Sequence, residues 1–148
     1  MSGSAVATVM AVIAGLAGAV QVAVMAGLGD RIGSVGALAF ATVVSAVLAV
    51  GALLVAERSF DAFGRAVSQP WWTLTGGVVG LFILLTITVA GSRIGIVATV
   101  GILIAGQLVM GAVIDRLGLF GVDQVALSWP RALGVVLLAV GAGLTLIR

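Results

Sequence analysis

The sequence predicts an all-α integral membrane protein with five transmembrane helices per chain and a single domain over residues 1–148. Hydrophobic residues make up 62% of the chain and charged residues only 8%, far from the balance of a soluble domain. The apolar residues form long runs that are almost free of charge. Because a helix rises about 1.5 Å per residue, roughly 20 apolar residues cross a hydrocarbon core of about 30 Å. Composition and run length therefore both indicate a multi-pass membrane protein.

Five apolar runs account for the five helices in chain order. The predicted spans are 5–28, 35–56, 71–90, 94–114 and 132–147. The first, second and fourth runs each stop at an acid followed by an arginine, and the third stops just before Arg93. Pro70 and Pro130 precede the third and fifth runs, where the first helical turn needs no backbone donor. The fifth run is the shortest, but Arg131 and Arg148 beside it can extend outward to the lipid headgroups.

The seven basic residues, all of them arginines, are shared almost equally between the two membrane faces. With five spans, the face of the N-terminus holds Arg58, Arg65, Arg116 and Arg131, and the other face holds Arg31, Arg93 and Arg148. Basic residues in short loops orient a membrane protein, and here the bias is close to zero. The sequence therefore predicts dual topology and an antiparallel homodimer of ten helices. Two alternatives stay open: a fixed orientation set by weak cues, and an oppositely oriented paralogue as obligate partner.

An odd number of spans also favours transport. If such a chain were duplicated in tandem, its second half would be inverted automatically. Inverted repeats of this kind form many secondary transporters, and a dimer of opposed subunits would build the same architecture without fusion.

Several motifs spread over most of the chain point to one family. They are Gln21 with Leu28-Gly29, Ser34 with Phe40, Trp71-Trp72 with Gly76-Gly77-Val78-Val79-Gly80, Gly106-Gln107 through Ile114-Asp115 to Gly118-Leu119-Phe120-Gly121, and Ser128 with Arg131 and Gly134. Together they resemble the YdcZ-type family of small five-span inner-membrane proteins, within the drug/metabolite transporter superfamily. The resemblance implies an exporter of the bacterial inner membrane that acts as an antiparallel homodimer or a paired heterodimer. It implies no particular substrate.

Two positions depart from the family pattern. The family has an asparagine about four residues after Gln21, where this chain has Val24-Met25-Ala26. It has a histidine after the aspartate of the fourth span, where this chain has Arg116. Any role that the family gives to those two side chains does not transfer to this protein.

The candidate substrate-binding residues lie within the spans and are polar or aromatic, with one methionine among them: Gln21, Met25, Trp72, Thr75 and Gln107. An amide in hydrocarbon needs a partner, because an unpaired polar group there costs several kcal/mol. The two glutamines could line a central cavity, or they could join helices as hydrogen-bonding pairs worth about 0.6–2 kcal/mol each. Trp72 and Thr75 could form a wall for a cationic or amphipathic ligand, or could anchor the helix at the interface.

Two carboxylates are candidates for binding a coupling ion, Asp115 and Glu57. Asp115 lies eight residues after Gln107, with Gly111 between them, so that all three share one helix face. The alternative is that both acids end helices at the headgroup level. Small residues at helical spacing predict close helix packing at two pairs, Gly76 with Gly80 and Gly101 with Ala105.

The leading functional hypothesis is a small-molecule transporter working by alternating access, with a neutral or cationic organic cargo. A passive pore and a non-transporting membrane partner are the alternatives. Histidine and cysteine are absent, and no nucleophile–base pair or metal-ligand set is present, so neither an enzyme nor a bound metal or cofactor is predicted. The net charge is only +2 and there is no basic cluster, so nucleic acid is not an expected partner.

Overall fold

The computed structural model describes residues 3–126 and 128–147, and in that part of the chain every regular element is helical. The six α-helices are α1 (Gly3–Ile32), α2 (Ser34–Glu57), α3 (Asp61–Val67), α4 (Thr75–Ile94), α5 (Ile96–Leu117) and α6 (Trp129–Leu144). Two short 3-10 turns, Trp71–Leu74 and Leu119–Gly121, precede α4 and follow α5. The predicted all-α class is confirmed.

Four of these segments are long and apolar enough to cross a membrane: α1, α2, α5, and α4 together with its preceding 3-10 turn (Trp71–Ile94). Helix α6 is apolar but has only 16 residues, about 24 Å at 1.5 Å per residue. It is shorter than the hydrocarbon core of about 30 Å, so the fifth span stays a prediction. The helix also begins earlier than the predicted span, at Trp129, because Pro130 is accommodated in its first turn.

In α1, α4 and α5 the helix continues beyond the charged residue that follows its apolar run, whereas α2 ends at Glu57. Helix α1 continues through Asp30 and Arg31 as far as Ile32, although its apolar run stops at residue 28. The break comes at Gly33, with φ 83° and ψ 149°, and Gly95 after α4 has nearly the same values, 85° and 164°. Only glycine adopts this region readily. An Arg-Ile-Gly sequence precedes both breaks, so the glycine, and not the charge, sets the end of the helix.

The described residues divide into two compact units. In the first, residues 24–89, the buried side chains are Met25, Ala26, Ala37, Ile87 and Thr88. Gly29 of α1 lies directly against Thr88 of α4: a Cβ built on Gly29 would be 2.6 Å from Thr88 Cγ2. The Thr88 hydroxyl donates to the Leu84 carbonyl at 2.7 Å, which fixes the methyl group toward Gly29. The absence of a side chain at Gly29 therefore permits this contact between α1 and α4.

The second unit contains the described parts of residues 1–23 and 90–148, and its main contact is α5 against α6. Gly101 faces α6, where a Cβ would lie 3.5 Å from Ala142 Cα. Its buried residues are Val22, Ala98, Thr99 and Ala142. At the start of α5, the Thr99 hydroxyl donates to the Gly95 carbonyl at 2.8 Å, which holds the break between α4 and α5.

Large apolar side chains cover the outside of the helices. On α2, Val43, Val47 and Val55 are 62%, 66% and 83% exposed. A contiguous apolar surface of this kind is typical of contact with lipid or with another membrane helix. The surface is what a membrane-embedded bundle requires.

Candidate functional site

A groove of about 350 Å³ lies between α5 and α6. Its lining residues are Gln107, Leu108, Gly111, Ala112, Asp115, Val125, Arg131, Gly134, Val135 and Leu138. On each helix the lining residues recur at intervals of three and four, so one face of α5 and one face of α6 form the two walls. Gly111 and Gly134 carry no side chain into the groove, which leaves it open. The groove therefore has apolar walls, with the Gln107 amide at one end and the opposite charges of Asp115 and Arg131 at the other.

The charged end of the groove is an ion pair between Asp115 of α5 and Arg131 of α6. Asp115 Oδ2 and Arg131 Nη1 are 3.8 Å apart, and the two side chains are 49% and 56% exposed. A charge-assisted hydrogen bond is shorter, about 2.7–2.9 Å. Because a half-exposed pair of this length contributes only about 0–1 kcal/mol, both groups keep most of their capacity to bind something else.

The loop between α5 and α6 borders the same end of the groove. The Val125 N–H donates to the Asp115 carbonyl at 2.8 Å, and Gln124 Nε2 donates to the Leu117 carbonyl at 3.3 Å. Gly118 makes this return possible with φ 63°, because a Cβ there would meet Gln124 Cγ at 2.7 Å. The loop therefore satisfies two carbonyls at the end of α5 and brings Val125 into the groove. Sequence reasoning missed Val125 and Gln124; the only signal was the glycine after Arg116-Leu117.

The two glutamines predicted to bind substrate are both exposed on their helices. Among the described residues, the side-chain amides of Gln21 and Gln107 have no hydrogen-bond partner. Gln21 lies ten residues before Arg31, about 15 Å along α1, and Gln107 lies nine residues before Arg116, about 14 Å along α5. With arginines at the headgroup level, both amides are expected near the middle of a core about 30 Å thick.

The other candidate substrate residues lie outside this groove. Met25 is only 3% exposed and packs in the interior of the first unit. Trp72 is 39% exposed at the start of the third predicted span. The Thr75 hydroxyl is engaged locally, since it donates to the Trp72 carbonyl at 2.6 Å.

The small-residue pairs differ in their surroundings. Gly101 lies against α6, and Ala105 lines a second, wholly apolar groove of about 560 Å³ on α5 and α6. A Cβ built on Gly76 or Gly80 would have no described atom within 4 Å, so this surface of α4 is open.

Glu57, the second candidate for ion binding, pairs with Arg65 of α3 at 3.3 Å in an exposed position. Three of the arginines predicted to set topology, Arg31, Arg93 and Arg116, lie in the last turns of their helices. Arg58 caps α2 with a left-handed φ of 53°. Arg148 lies outside the described residues.

The helices, their apolar surface and the arginines at their ends define a multi-pass integral membrane protein. The family model described as "Putative inner membrane exporter, YdcZ" matches residues 6–144, nearly the whole chain, and the protein belongs to that family. The membrane is accordingly the bacterial inner membrane.

One curated relative is "Inner membrane protein YdcZ" of Escherichia coli (strain K12), which is 35% identical over 89 residues. That alignment covers 60% of this chain and 59% of the relative, so the chain is matched to somewhat over half the length of the curated protein. No solved structure shows a significant match to the chain.

Proposed function

We propose that this protein is a small-molecule exporter that works by alternating access as a dual-topology, antiparallel homodimer. The observation that carries the proposal is the groove between α5 and α6, with its ion pair at one end, apolar walls and the Gln107 amide at the other. A concave apolar site with a few convergent polar groups is the usual form of a small-molecule site. Membership of a family described as exporters supports the same conclusion.

The unpartnered amides support a second copy of the chain. An amide facing hydrocarbon without a partner costs several kcal/mol, so Gln21 and Gln107 need a partner helix, water or a ligand. In an antiparallel dimer the two-fold axis lies in the plane of the membrane, and only residues near mid-depth can meet their own copies. Both glutamines are expected at that depth. A dimer would therefore place them around a shared central cavity.

The proposed dual insertion is tested with single cysteines, which is simple because the protein has none of its own. Asp123→Cys reports the face of the N-terminus, and Ile32→Cys reports the other face. The wild-type Ile32 side chain is 54% exposed, so a cysteine there is accessible to the reagent. We expect an impermeant maleimide to label a fraction of each variant from outside intact cells and the remainder only after permeabilisation. Labelling of one variant entirely from outside and of the other entirely from inside would mean a single orientation and would overturn the dimer.

Substitutions that change the number of arginines on one face test the same prediction independently. Arg58→Gln with Arg65→Gln leaves two arginines on the face of the N-terminus and three on the other face. Because the face with more basic residues favours the cytoplasm, we expect the population to shift toward the orientation with the N-terminus outside. The matched control, Arg65→Gln with Arg93→Gln, removes one arginine from each face, and the labelling ratio should stay close to that of the wild type.

Transport is tested by counterflow in proteoliposomes, with labelled neutral, cationic and zwitterionic organic solutes. A carrier shows saturable uptake that is stimulated by the unlabelled solute on the other side; a pore does not. Gln107→Leu is expected to reduce the stimulated uptake about fivefold, which corresponds to the loss of one hydrogen bond of about 1 kcal/mol. Gln69→Leu is the control, because that amide bonds the Arg65 carbonyl in an exposed position and does not line the groove. If Gln107→Leu instead separates the dimer, the amide joins helices and does not bind substrate.

A further inference from the structure

We infer that the groove between α5 and α6 selects a small zwitterion with an apolar body. In this arrangement the ligand's cationic group binds the Asp115 carboxylate, and its anionic group binds the Arg131 guanidinium. Its apolar part lies along Leu108, Val135 and Leu138. This inference names the substrate class of the proposed exporter and rests on that proposed function.

The mouth of the groove carries two opposite charges. Asp115 and Arg131 lie on different helices, 3.8 Å apart, and each is about half exposed. A ligand with one charge would be attracted to one of them and repelled by the other at nearly the same distance. A ligand with both charges matches both groups and can complete the hydrogen bonds that the pair leaves unmade. The ion pair therefore favours a ligand with two opposite charges over one with a single charge.

The walls of the groove are apolar and enclose a small volume. Apart from Gln107 and the ion pair, every lining residue is apolar or a glycine. The volume of about 350 Å³ is at the lower end of the range for small-molecule sites. These features fit one compact aliphatic or aromatic group joined to the zwitterionic head.

The loop between α5 and α6 favours a free solute over a lipid as the occupant of the groove. A zwitterionic phospholipid offers the same two charges, but its head joins two long acyl chains. The Val125 N–H is bonded to the Asp115 carbonyl and Val125 lines the groove, so the loop narrows the charged end. This arrangement leaves room for a molecule that fits inside the groove, and we commit to a free solute as its occupant.

The test measures binding to the full-length protein in nanodiscs of phosphatidylglycerol, a lipid without an ammonium group, with three probes that share one apolar body. Leucine carries both charges, 3-methylbutylamine lacks the carboxylate, and 4-methylpentanoate lacks the ammonium. We expect leucine to bind at least tenfold more tightly than either singly charged probe. Equal affinities, or tighter binding of one singly charged probe, would overturn the inference.

Reciprocal variants separate a ligand site from a structural ion pair. Asp115→Asn should weaken leucine binding and make the carboxylate probe the better singly charged ligand. Arg131→Gln should weaken leucine binding and favour the amine probe. If the ion pair only joined the two helices, the two substitutions would not exchange the preference between the amine and the carboxylate probe. Glu57→Gln removes an acid from a similar exposed pair outside the groove, and should leave all three affinities unchanged.

Three further outcomes assign a failure to its cause. If phosphatidylethanolamine in the nanodiscs abolishes leucine binding, the groove binds a lipid headgroup and the inference is wrong. If no probe binds but other solutes still show counterflow, the zwitterion is wrong and the exporter stands. If leucine binds with the expected selectivity but no solute shows counterflow, the site is right and the exporter is wrong.

Discussion

Gly29→Ala is expected to lower the free energy of unfolding by about 1–3 kcal/mol, the usual effect of forcing an extra methyl group into a packed site. The new Cβ would lie 2.6 Å from Thr88 Cγ2, closer than two carbon atoms can approach. Thr88 is 1% exposed and its hydroxyl is bonded to the Leu84 carbonyl, so the threonine cannot simply rotate away. Unfolding in detergent micelles, titrated with sodium dodecyl sulfate, measures the loss.

A double-mutant cycle shows whether this contact is the cause. Thr88→Ser keeps the hydroxyl and removes the clashing methyl group, at a cost of about 1 kcal/mol for the lost buried carbon. Combined with Gly29→Ala it should restore much of the stability, giving a favourable interaction term. Gly27→Ala is the control, because a Cβ there would meet nothing within 4 Å. Additive effects of the two changes would show that α1 and α4 are not in contact at this point.

Gly95→Ala is expected to destabilise the protein by about 1–3 kcal/mol for a different reason. Space is not limiting, since a Cβ at Gly95 would have no described atom within 4 Å. The cost comes from the backbone, because φ 85° with ψ 164° lies in a region that is essentially restricted to glycine. Gly33→Ala should behave in the same way, with φ 83° and ψ 149°. Thermal unfolding in detergent provides the measurement.

Gly77→Ala is the matched control for this backbone effect. Gly77 also has open space around it but lies within helix α4, where alanine is the better helix former. It should leave the unfolding temperature unchanged or raise it. If Gly95→Ala had as little effect as Gly77→Ala, the helix break at Gly95 would not depend on positive φ.

Part of the candidate site could be read from the sequence. The spacing of Gln107, Gly111 and Asp115 already placed an amide and an acid on one face of a helix, because helical periodicity is a local property. Arg131 was noted only as a determinant of topology, and Val125 was not noted at all. Both lie after the loop begins, and their distance from Asp115 depends on how that loop returns. No local pattern reports such a contact.

The sequence by itself determined the class of protein and, through three glycines, the points at which α1, α4 and α5 end. Long uncharged runs require a membrane, and the glycines at 33, 95 and 118 can adopt backbone angles that other residues resist. Only the tertiary structure decided which residues meet: Gly29 with Thr88, Gly101 with Ala142, and Asp115 with Arg131. The physical reason is that helix formation and lipid solubility depend on neighbouring residues, whereas these contacts join positions 16 to 59 residues apart and depend on how whole helices pack.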